Sequence, residues 1–413
     1  MGKKLTQLLL FRDFAQDAVL KAYDEAENSN DKKKWHIFFE ELISKGESLG
    51  LSGRLFPAYI VYLLAGGNNM AADNIQRGGH AGKSVGKLLE MDMEAIYPVL
   101  LKEIKKSENI DEILNNYEPA CESAFEAYKE LRCTLECIDS AAGAAQCLLN
   151  HYKKFGSGEL ARYRAFCWHN NTGLMGIEYF EKIRMSDLVG YEKQKKMLRS
   201  NTQVFLENRP ANNILLAGAR GTGKSSGVKA LANEFYKKNL RLVQITRDQI
   251  KVMPEIMKKL RCLAGYKFII FLDDLSFNEG ETEYKYLKSV IEGGVSAMPQ
   301  NVLLYATSNR RHLIKETWRD REDTQEELYR NDSVNESISL SDRFGLIINY
   351  DAPSQDEYLS IIDSYLKKAG VELEKKELRL EGLRWEMTHS GRSGRIARQF
   401  VNWYLGQKNK DDD

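Results

Sequence analysis

The first part of the chain carries hydrophobic residues at helical spacing. In "DKKKWHIFFEELISKG" the apolar positions Trp35, Phe38, Phe39, Leu42 and Ile43 recur at the spacing of one helix face. "MEAIYPVLLKEI" and "ESAFEAYKELRCTLECI" have similar spacing, and no alternating run typical of a strand appears. The pattern predicts an all-α domain over residues 1–154. Residues 155–184 contain glycines and clustered aromatic residues without long apolar runs, which is typical of a connector.

From about residue 185 onward the pattern changes to short apolar runs separated by helix-like stretches. Each run is short enough for a buried strand. Strands that alternate with helices indicate a parallel sheet covered by helices on both faces. We therefore predict an α/β domain over residues 185–350 with five parallel strands, at Asn213–Ala217, Leu242–Thr246, Phe268–Leu272, Val302–Ala306 and Leu346–Tyr350.

After Pro353 the sequence again has helical spacing. Ser354 followed by Glu357 is a capping-box signal, and the amphipathic stretch after it ends at Gly370, a plausible C-cap. "GRIARQFVNWYLG" predicts a further amphipathic helix. These patterns indicate a helical domain over residues 351–407, followed by a solvated acidic tail over residues 408–413.

Composition adds little to this picture. The 413 residues carry a formal net charge of +1, so bulk charge favours neither a nucleic-acid nor a membrane partner. Cys133 and Cys137 would share one helix face, but no second pair completes a metal site, so helix packing is the better interpretation. The N-terminus lacks the features of a signal peptide, and "FPAYIVYLLAG" is too short to span a bilayer. We expect a cytoplasmic protein.

The stretch "LLAGARGTGKSSGVKAL" contains the pattern G-x-x-x-x-G-K-[ST], with a predicted strand before it and a helix after it. Glycines let consecutive backbone N–H groups surround a β-phosphate, and the positive end of the helix dipole points at the anion. In this pattern the lysine reaches the β- and γ-phosphate oxygens, and the hydroxyl after it binds Mg²⁺. The predicted binding residues are Gly218, Ala219, Arg220, Gly221, Thr222, Gly223, Lys224, Ser225 and Ser226.

A second Gly-Lys-Ser, in "RGGHAGKS" at residues 77–84, does not fit the same pattern. Arg77 stands where the first glycine is required, and the preceding residues do not form a strand pattern. We interpret it as a polar loop between helices.

Two carboxylates follow the third predicted strand, in "KFIIFLDDLSF". Asp273, at the carboxyl end of the strand, is suited to hold Mg²⁺ through water beside the phosphate loop. Asp274 is suited to polarise an attacking water. Taken alone, two aspartates after a strand are equally compatible with a cap for the next helix. Their position after a phosphate loop in the chain favours the catalytic interpretation.

An amide residue follows the fourth predicted strand, and an arginine precedes the fifth. "VLLYATSNRRHL" ends in Ser308 and Asn309, and an amide there is able to orient water or contact the γ-phosphate, although turns also favour asparagine. In "SLSDRFGLIINY", Arg343 stands just before the last strand. Such an arginine can reach a neighbouring subunit and stabilise charge on the transferred phosphoryl group. The alternative is a surface ion pair with Asp342 or another acid. "HSGRSGRIARQF" supplies three further arginines near a helix start, at positions 392, 395 and 398.

In their order along the chain these motifs resemble those of AAA+ ATPases. More narrowly, they are similar to a bacterial family of predicted AAA+ ATPases catalogued as a domain of unknown function. The resemblance covers about Phe155 to the C-terminus, and it implies a five-stranded P-loop sheet with a helical lid. The resemblance implies that Lys224 and Ser225 bind phosphate and Mg²⁺, that Asp273 binds Mg²⁺ and that Asp274 is the catalytic acid. It also implies sensor 1 at Asn309, the arginine finger at Arg343 and sensor 2 at Arg395. In "SDLVGYEKQ" it implies adenine contacts at Val189 and Gly190.

One departure from the general AAA+ pattern concerns the second motif. Most members carry Asp-Glu where this chain has Asp273 and Asp274, and the shorter acid predicts slower turnover. Residues 315–339 are highly charged and poor in apolar residues, which is typical of a surface insertion. Arg319 and Arg321 within this stretch are alternative fingers that we rank below Arg343.

The leading hypothesis is an ATP hydrolase that uses ATP and Mg²⁺ in a homo-oligomer to remodel or load an unknown protein client. The first alternative is a nucleotide-gated adaptor with slow or no turnover, and the second is a small-molecule kinase. Binding of nucleic acid stays open. The sequence contains no recognisable helix-turn-helix, zinc site or strip of aromatic and basic residues that would favour it. We expect no membrane partner.

Overall fold

The computed structural model describes residues 4–29, 31–67, 69–105, 108–277, 282–292, 298–309, 343–389 and 391–411. These residues form two compact units. The N-terminal unit takes the chain up to Arg164 together with residues 237–239 and 262–266. The remainder forms the second unit.

The N-terminal unit is helical, as the spacing of its hydrophobic residues predicts. Within its described residues, the only paired backbone segments outside helices form one isolated bridge between Gly53 and Tyr117. Its helices are α1 (Ala18–Glu27), α2 (Lys32–Leu49), α3 (Leu55–Gly66), α4 (Met70–Gly78), α5 (Lys83–Leu101), α6 (Glu108–Asn115), α7 (Glu126–Leu135), α8 (Ala141–Phe155) and α9 (Gly158–Arg162).

The aromatic face of α2 lies in the core of this unit. Trp35, Phe38 and Phe39 are buried, and the Phe38 ring packs edge-on against Phe56 of α3 with the ring centroids 5.0 Å apart. Helix α3 is buried on nearly all sides, which explains why its sequence is apolar throughout. Among the described residues, no helix combines the length and the apolar character that crossing a bilayer requires.

One buried histidine of this unit makes its stability sensitive to acid. Burial lowers the pKa of His151 to about 4, against the opposing effect of the Ala65 carbonyl, which lies 3.4 Å from Nε2. Because the pKa in the folded state lies below the ordinary value, the unfolded chain binds the proton first. The stability that the neutral His151 side chain contributes to the folded state is therefore present above pH 6.5, and it is lost as the pH falls towards 4.

Between pH 7 and pH 4, the free energy of unfolding of the original chain should fall by about 3 kcal/mol more than that of His151→Gln. Urea unfolding at the two pH values measures this difference. His36→Gln, which replaces an exposed histidine of α2, is the control and should leave the difference between the two pH values unchanged. An identical loss of stability in His151→Gln and the original chain would show that this histidine does not carry the acid sensitivity.

The second unit is built on a mainly parallel sheet that has seven strands within the described residues. Its strands are β1 (Ala165–His169), β2 (Gly173–Gly176), β3 (Ile214–Gly218), β4 (Leu240–Ile245), β5 (Lys267–Leu272), β6 (Val302–Ser308) and β7 (Leu346–Tyr350). Their order across the sheet is β2-β1-β4-β5-β6-β3-β7, and only the β1–β2 pair is antiparallel. The predicted α/β class and its five parallel strands are confirmed.

Two further strands, β1 and β2, extend the sheet from residues that we interpreted as a connector. Their pattern is weak: β2 is four residues long, begins and ends with glycine and lies at the sheet edge. Strand β1 pairs in parallel with β4, with Phe166 opposite Val243. Because this partner lies more than seventy residues further along the chain, the local sequence does not reveal the pairing.

The helices of the second unit are α10 (Glu192–Leu206), α11 (Lys224–Glu234), α12 (Met253–Arg261), α13 (Thr282–Glu292), α14 (Gln355–Lys368), α15 (Lys375–Thr388) and α16 (Gly394–Asp411). The last three pack around Tyr358, Ile362 and Phe400 and form the helical lid. Ser354 caps α14 as predicted, with Oγ accepting from the Glu357 amide at 3.3 Å. Helix α16 continues to Asp411, so it includes residues that we interpreted as a tail.

The strand order determines where a ligand site can form. Strand β3 lies between β6 and β7, and β5 lies next to β6. Because these strands are parallel, their carboxyl ends meet at one edge of the sheet, where loops from separate parts of the chain converge.

Candidate nucleotide site

The glycine-rich loop joins buried strand β3 to α11, which begins at Lys224. Gly218 has φ of 133°, and a Cβ atom there would lie 2.0 Å from the Tyr350 carbonyl oxygen. The next residue, Ala219, donates its amide to the same carbonyl at 2.9 Å. The loop thus passes so close to β7 that a side chain at its first position would collide with the backbone.

Lys224 lies beneath this loop and is only 5% exposed. Its Nζ donates to the carbonyls of Gly218 at 2.9 Å and Ala219 at 2.7 Å, and to Asn309 Oδ1 at 3.3 Å. Burial lowers the pKa of the amine, and the nearby Asp274 and Asp273 carboxylates oppose this effect. An anion bound at the loop would therefore face a partly desolvated cation, whose electrostatic effect is stronger than in water.

Asp273 is held by two hydroxyl groups at the carboxyl end of β5. Ser225 Oγ and Thr307 Oγ1 each donate to its Oδ1 at 2.6 Å. Thr307 also accepts the amide of Asp274 at 2.9 Å. Thr307 was not among the predicted residues, because a threonine inside an apolar strand follows ordinary strand composition. The available signal was its hydroxyl near the end of β6, two residues before Asn309.

The Ser225 hydroxyl and the Asp273 carboxylate form an oxygen pair that fits Mg²⁺. This ion binds proteins through one or two oxygen ligands and keeps waters and phosphate oxygens for the rest of its shell. Within the described residues, no group of three or more His, Cys, Asp or Glu side chains is placed to hold a metal. The donor set thus suits an ion that arrives with a phosphate ligand.

Asp274 and Asn309 are joined at the same edge of the sheet. Asn309 Nδ2 donates to Asp274 Oδ1, while its Oδ1 accepts from Lys224. Asp274 has φ of 53°, an uncommon backbone conformation for a residue with a side chain. The amide of Asn309 therefore links the lysine of the loop to the second acid.

The helical lid closes over the loop where α16 begins. A Cβ atom at Gly221 would lie 2.8 Å from Ser393 Oγ and 3.1 Å from the Cβ of Arg395. This approach brings Arg395 and Arg398 to the wall of the cavity above the loop. Neither arginine has a hydrogen-bond or ion-pair partner within the described residues.

The cavity between sheet and lid has a volume of about 720 Å³. Its apolar lining includes Val189 together with Ile361 and Tyr365 of the lid, which belong to one hydrophobic cluster. The loop and both acids also line the cavity. Six cationic side chains line the cavity against two carboxylates: Lys195, Arg220, Lys224, Lys229, Arg395 and Arg398 against Asp273 and Asp274.

The predicted residues separate into those that meet at this cavity and those that do not. Loop residues from Arg220 to Ser226, both acids, Asn309, Arg395, Val189 and Gly190 line it. Arg343 does not line it, and its Nε donates to Glu292 at the end of α13. The sequence had left such an ion pair open as an alternative to the finger role. Arg319 and Arg321 lie outside the described residues.

Two other features of the sequence have structural explanations. Arg392 pairs with Glu386 at 3.1 Å, which leaves Arg395 as the better placed arginine for the cavity. Residues 79–82 of "RGGHAGKS" join α4 to α5 in the N-terminal unit, and Lys83 and Ser84 begin α5. The stretch thus contains a short loop between helices, as predicted.

The strand order, the glycine-rich loop after β3, the acids after β5 and the helical lid define a P-loop protein of the AAA+ class. The sequence model of the family described as "Protein of unknown function (DUF815)" matches residues 161–408. The chain belongs to this family.

The chain also has distant similarity to proteins of known name. It is 24% identical over 119 residues to the replication factor C large subunit of Methanococcus aeolicus, covering 28% of this chain and 25% of that protein. The corresponding Thermococcus kodakarensis subunit is 28% identical over 108 residues, covering 25% and 22%. These matches span about a quarter of each relative's length.

Among solved structures, the chain is similar to the Thermotoga maritima RuvB Holliday junction branch migration motor. That match has 16% identity and a TM-score of 0.37 and covers 54% of this chain and 64% of that one. A proline-to-glycine mutant of the same protein matches with 18% identity and a TM-score of 0.38, covering 53% of this chain and 64% of that one.

Proposed function

We propose that this protein is a Mg²⁺-dependent ATPase that works as a homo-oligomer and uses ATP to remodel or load a client. The charge of the cavity carries this proposal. Arg220, Lys224, Arg395 and Arg398 line the cavity beside a phosphate-type loop, in addition to Lys195 and Lys229, which pair with Glu192 and Glu181. Val189, Ile361 and Tyr365 supply an apolar lining. A triphosphate supplies about four negative charges and an attached base supplies a flat apolar group, which match these cations and this apolar lining. The volume of about 720 Å³ lies within the range of small-molecule sites.

Each residue of the site has a role that follows from its position. The loop amides and Lys224 bind the β- and γ-phosphates. Ser225 and Asp273 would hold Mg²⁺, which would supply positive charge beside the phosphates. Asp274 accepts a hydrogen bond from a water aimed at the γ-phosphate, and Asn309 orients this carboxylate. Arg395 adds a cation from the lid side of the cavity.

One observation supports the nucleotide-gated adaptor as a second candidate. The Asp274 carboxylate is hydrogen-bonded to Asn309, and its side chain is one methylene shorter than glutamate. A short, tethered acid holds water less closely, so the ATP-bound state would last longer before hydrolysis resets it. Under this alternative, ATP binding orders the protein for a partner and turnover is slow.

The basic test combines ATP binding with phosphate release. ATP should bind the purified full-length chain in the presence of Mg²⁺, and free phosphate should accumulate with time and stop when EDTA removes the metal. Binding without phosphate release would favour the adaptor. Label from the γ-phosphate on an added acceptor molecule would favour a kinase. Absence of ATP binding would contradict all three functions.

In such an oligomer, Arg343 is the residue that we propose to reach the site of the neighbouring subunit. Its side chain does not line the cavity of its own chain and pairs with Glu292. We therefore expect Arg343→Ala to lower ATP turnover by at least about tenfold, because the arginine then fails to stabilise phosphoryl charge in the neighbouring subunit.

Mixing variants tests this sharing directly. An Arg343→Ala chain retains an intact cavity, and an Asp274→Ala chain retains the arginine. The mixture should hydrolyse ATP faster than either variant alone, whereas a mixture of Arg343→Ala with Arg343→Ala/Asp274→Ala should show no gain. Equal rates in both mixtures would contradict a role for Arg343 between subunits.

A further inference from the structure

Tyr191 lies in an uncommon backbone conformation at the wall of the cavity. Its φ is 58°, and Gly190 before it also has a positive φ of 77°. A tyrosine in this region is disfavoured unless its surroundings hold it there. Such positions are concentrated at functional sites, so the contacts of Tyr191 need an explanation.

The contacts of Tyr191 lead to the point where the chain leaves the sheet for the lid. Its hydroxyl donates to the Asp351 carbonyl at 2.7 Å, and its ring lies 5.1 Å from the ring of Tyr350. One turn later Gln194 donates to the Asn349 carbonyl at 3.0 Å. The start of α10 therefore holds three consecutive residues at the end of β7. Burial raises the pKa of Tyr191 to about 12, and a phenol is protonated at neutral pH even at its ordinary pKa.

The segment before Tyr191 contacts both the sheet and the lid. Val189 packs against the hydrophobic core of the lid, whereas Tyr191 packs against that of the sheet. Asp187 pairs with Lys368, the last residue of α14, at 3.1 Å. The segment thus contacts the lid at the far end of α14 and at residues 349–358, the hinge where the chain passes from β7 to α14. Between these two contacts, Val189 and Gly190 line the cavity at the place where a base would lie, here called its base end.

We propose that Tyr191 is a positioning residue that couples occupancy of the base end of the cavity to the angle of the helical lid. The inference rests on the proposed function, because it requires a nucleotide in the cavity. A base packed against Val189 and Gly190 fixes the segment that contains Tyr191. The phenol then fixes the Asp351 carbonyl, and with it the hinge that leads into α14.

The lid angle matters because it determines where Arg395 lies. Helix α16 packs on α14 through the lid core and brings Arg395 to within van der Waals reach of the loop at Gly221. A loose hinge would leave the lid attached but Arg395 poorly placed. Binding would therefore survive the loss of the tyrosine hydroxyl, and turnover would not.

Tyr191→Phe tests this coupling, because it removes the donor and keeps the ring. We expect its Kd for ATP to stay within about twofold, while kcat falls about three- to tenfold, the effect of one neutral hydrogen bond. Tyr404→Phe is the matched control. It removes a tyrosine hydroxyl that contacts Glu377 within the lid at 3.3 Å, and it should change neither value.

Hydrogen exchange with and without MgATP gives a second readout. In the original chain and in Tyr404→Phe, ATP should protect the loop amides at residues 218–226 and the hinge amides at residues 349–358. In Tyr191→Phe the loop should stay protected, and the hinge should lose at least about half of its protection. In an Arg395→Ala background, Tyr191→Phe should cause little further loss of kcat, because the two residues act in one chain of contacts.

The outcomes separate this inference from the proposed function. Protection of the loop together with unchanged hinge protection in Tyr191→Phe would overturn the coupling alone. Equal losses in affinity and kcat would assign Tyr191 to shaping the base end and would also overturn it. Absence of loop protection in every variant would overturn the proposed function and the coupling with it.

Discussion

Replacing Lys224 with alanine is expected to weaken ATP binding by at least about 100-fold, or about 3 kcal/mol. Lys224 is 5% exposed, and its amine donates to two carbonyl groups of the loop. Its removal leaves these carbonyls without this donor and leaves the phosphates without a partly desolvated positive charge. Isothermal titration with MgATP measures the change in Kd.

Lys229→Ala is the matched control for this prediction. Lys229 lines the same cavity, but its side chain is 31% exposed and pairs with Glu181 at 3.2 Å. Exposed ion pairs contribute little, so we expect less than about a threefold change in Kd. Similar increases of the Kd for ATP in both variants would mean that ATP affinity depends on the general positive charge of the cavity rather than on the contact with Lys224.

Replacing Asp274 with alanine is expected to leave the Kd for ATP within about threefold and to lower turnover by about 100- to 10,000-fold, the range for loss of a general base. Its carboxylate is positioned by Asn309 at the edge of the sheet and is separate from the Ser225–Asp273 oxygen pair. Measuring ATP affinity and the rate of phosphate release on the same preparation separates the two effects.

Two further variants show whether chemistry or backbone conformation is responsible. Asp274→Asn suits the positive φ of 53°, because asparagine tolerates this region, yet it lacks the negative charge. It should therefore be as inactive as Asp274→Ala. Asp274→Glu restores the longer acid and should match or exceed the original turnover. Equal loss of ATP binding in Asp274→Ala and Lys224→Ala would contradict the separate roles of these residues.

The local sequence predicted much of the candidate site because its main parts are continuous motifs at strand ends. The loop from Gly218 to Ser226 is contained in one stretch, and Asp273 and Asn309 follow buried strands directly. Parallel strands place such residues at one edge of the sheet, so their proximity follows from general topology. The structure brings the loop residues from Arg220 to Ser226, Asp273 and Asn309 to one cavity, and their catalytic roles stay predictions.

Other residues of the site were not predictable, because their partners are distant in the chain. Tyr191 contacts Asp351 across 160 positions. Thr307 is important only because β5 and β6 are neighbours, which brings its hydroxyl to Asp273. Nothing in the composition around these residues distinguishes them from an ordinary helix start, loop or strand.

The sequence by itself determined the class of the second unit, the phosphate loop and the helical character of the first unit. These properties depend on periodicity and on short motifs, both of which are local. The tertiary structure alone decided that β1 and β2 extend the sheet, that Asn309 links Lys224 to Asp274, and that Tyr191 contacts the lid hinge. The physical reason is that hydrogen bonds between residues far apart in the chain depend on how the elements pack, and this packing leaves little trace in the residues on either side.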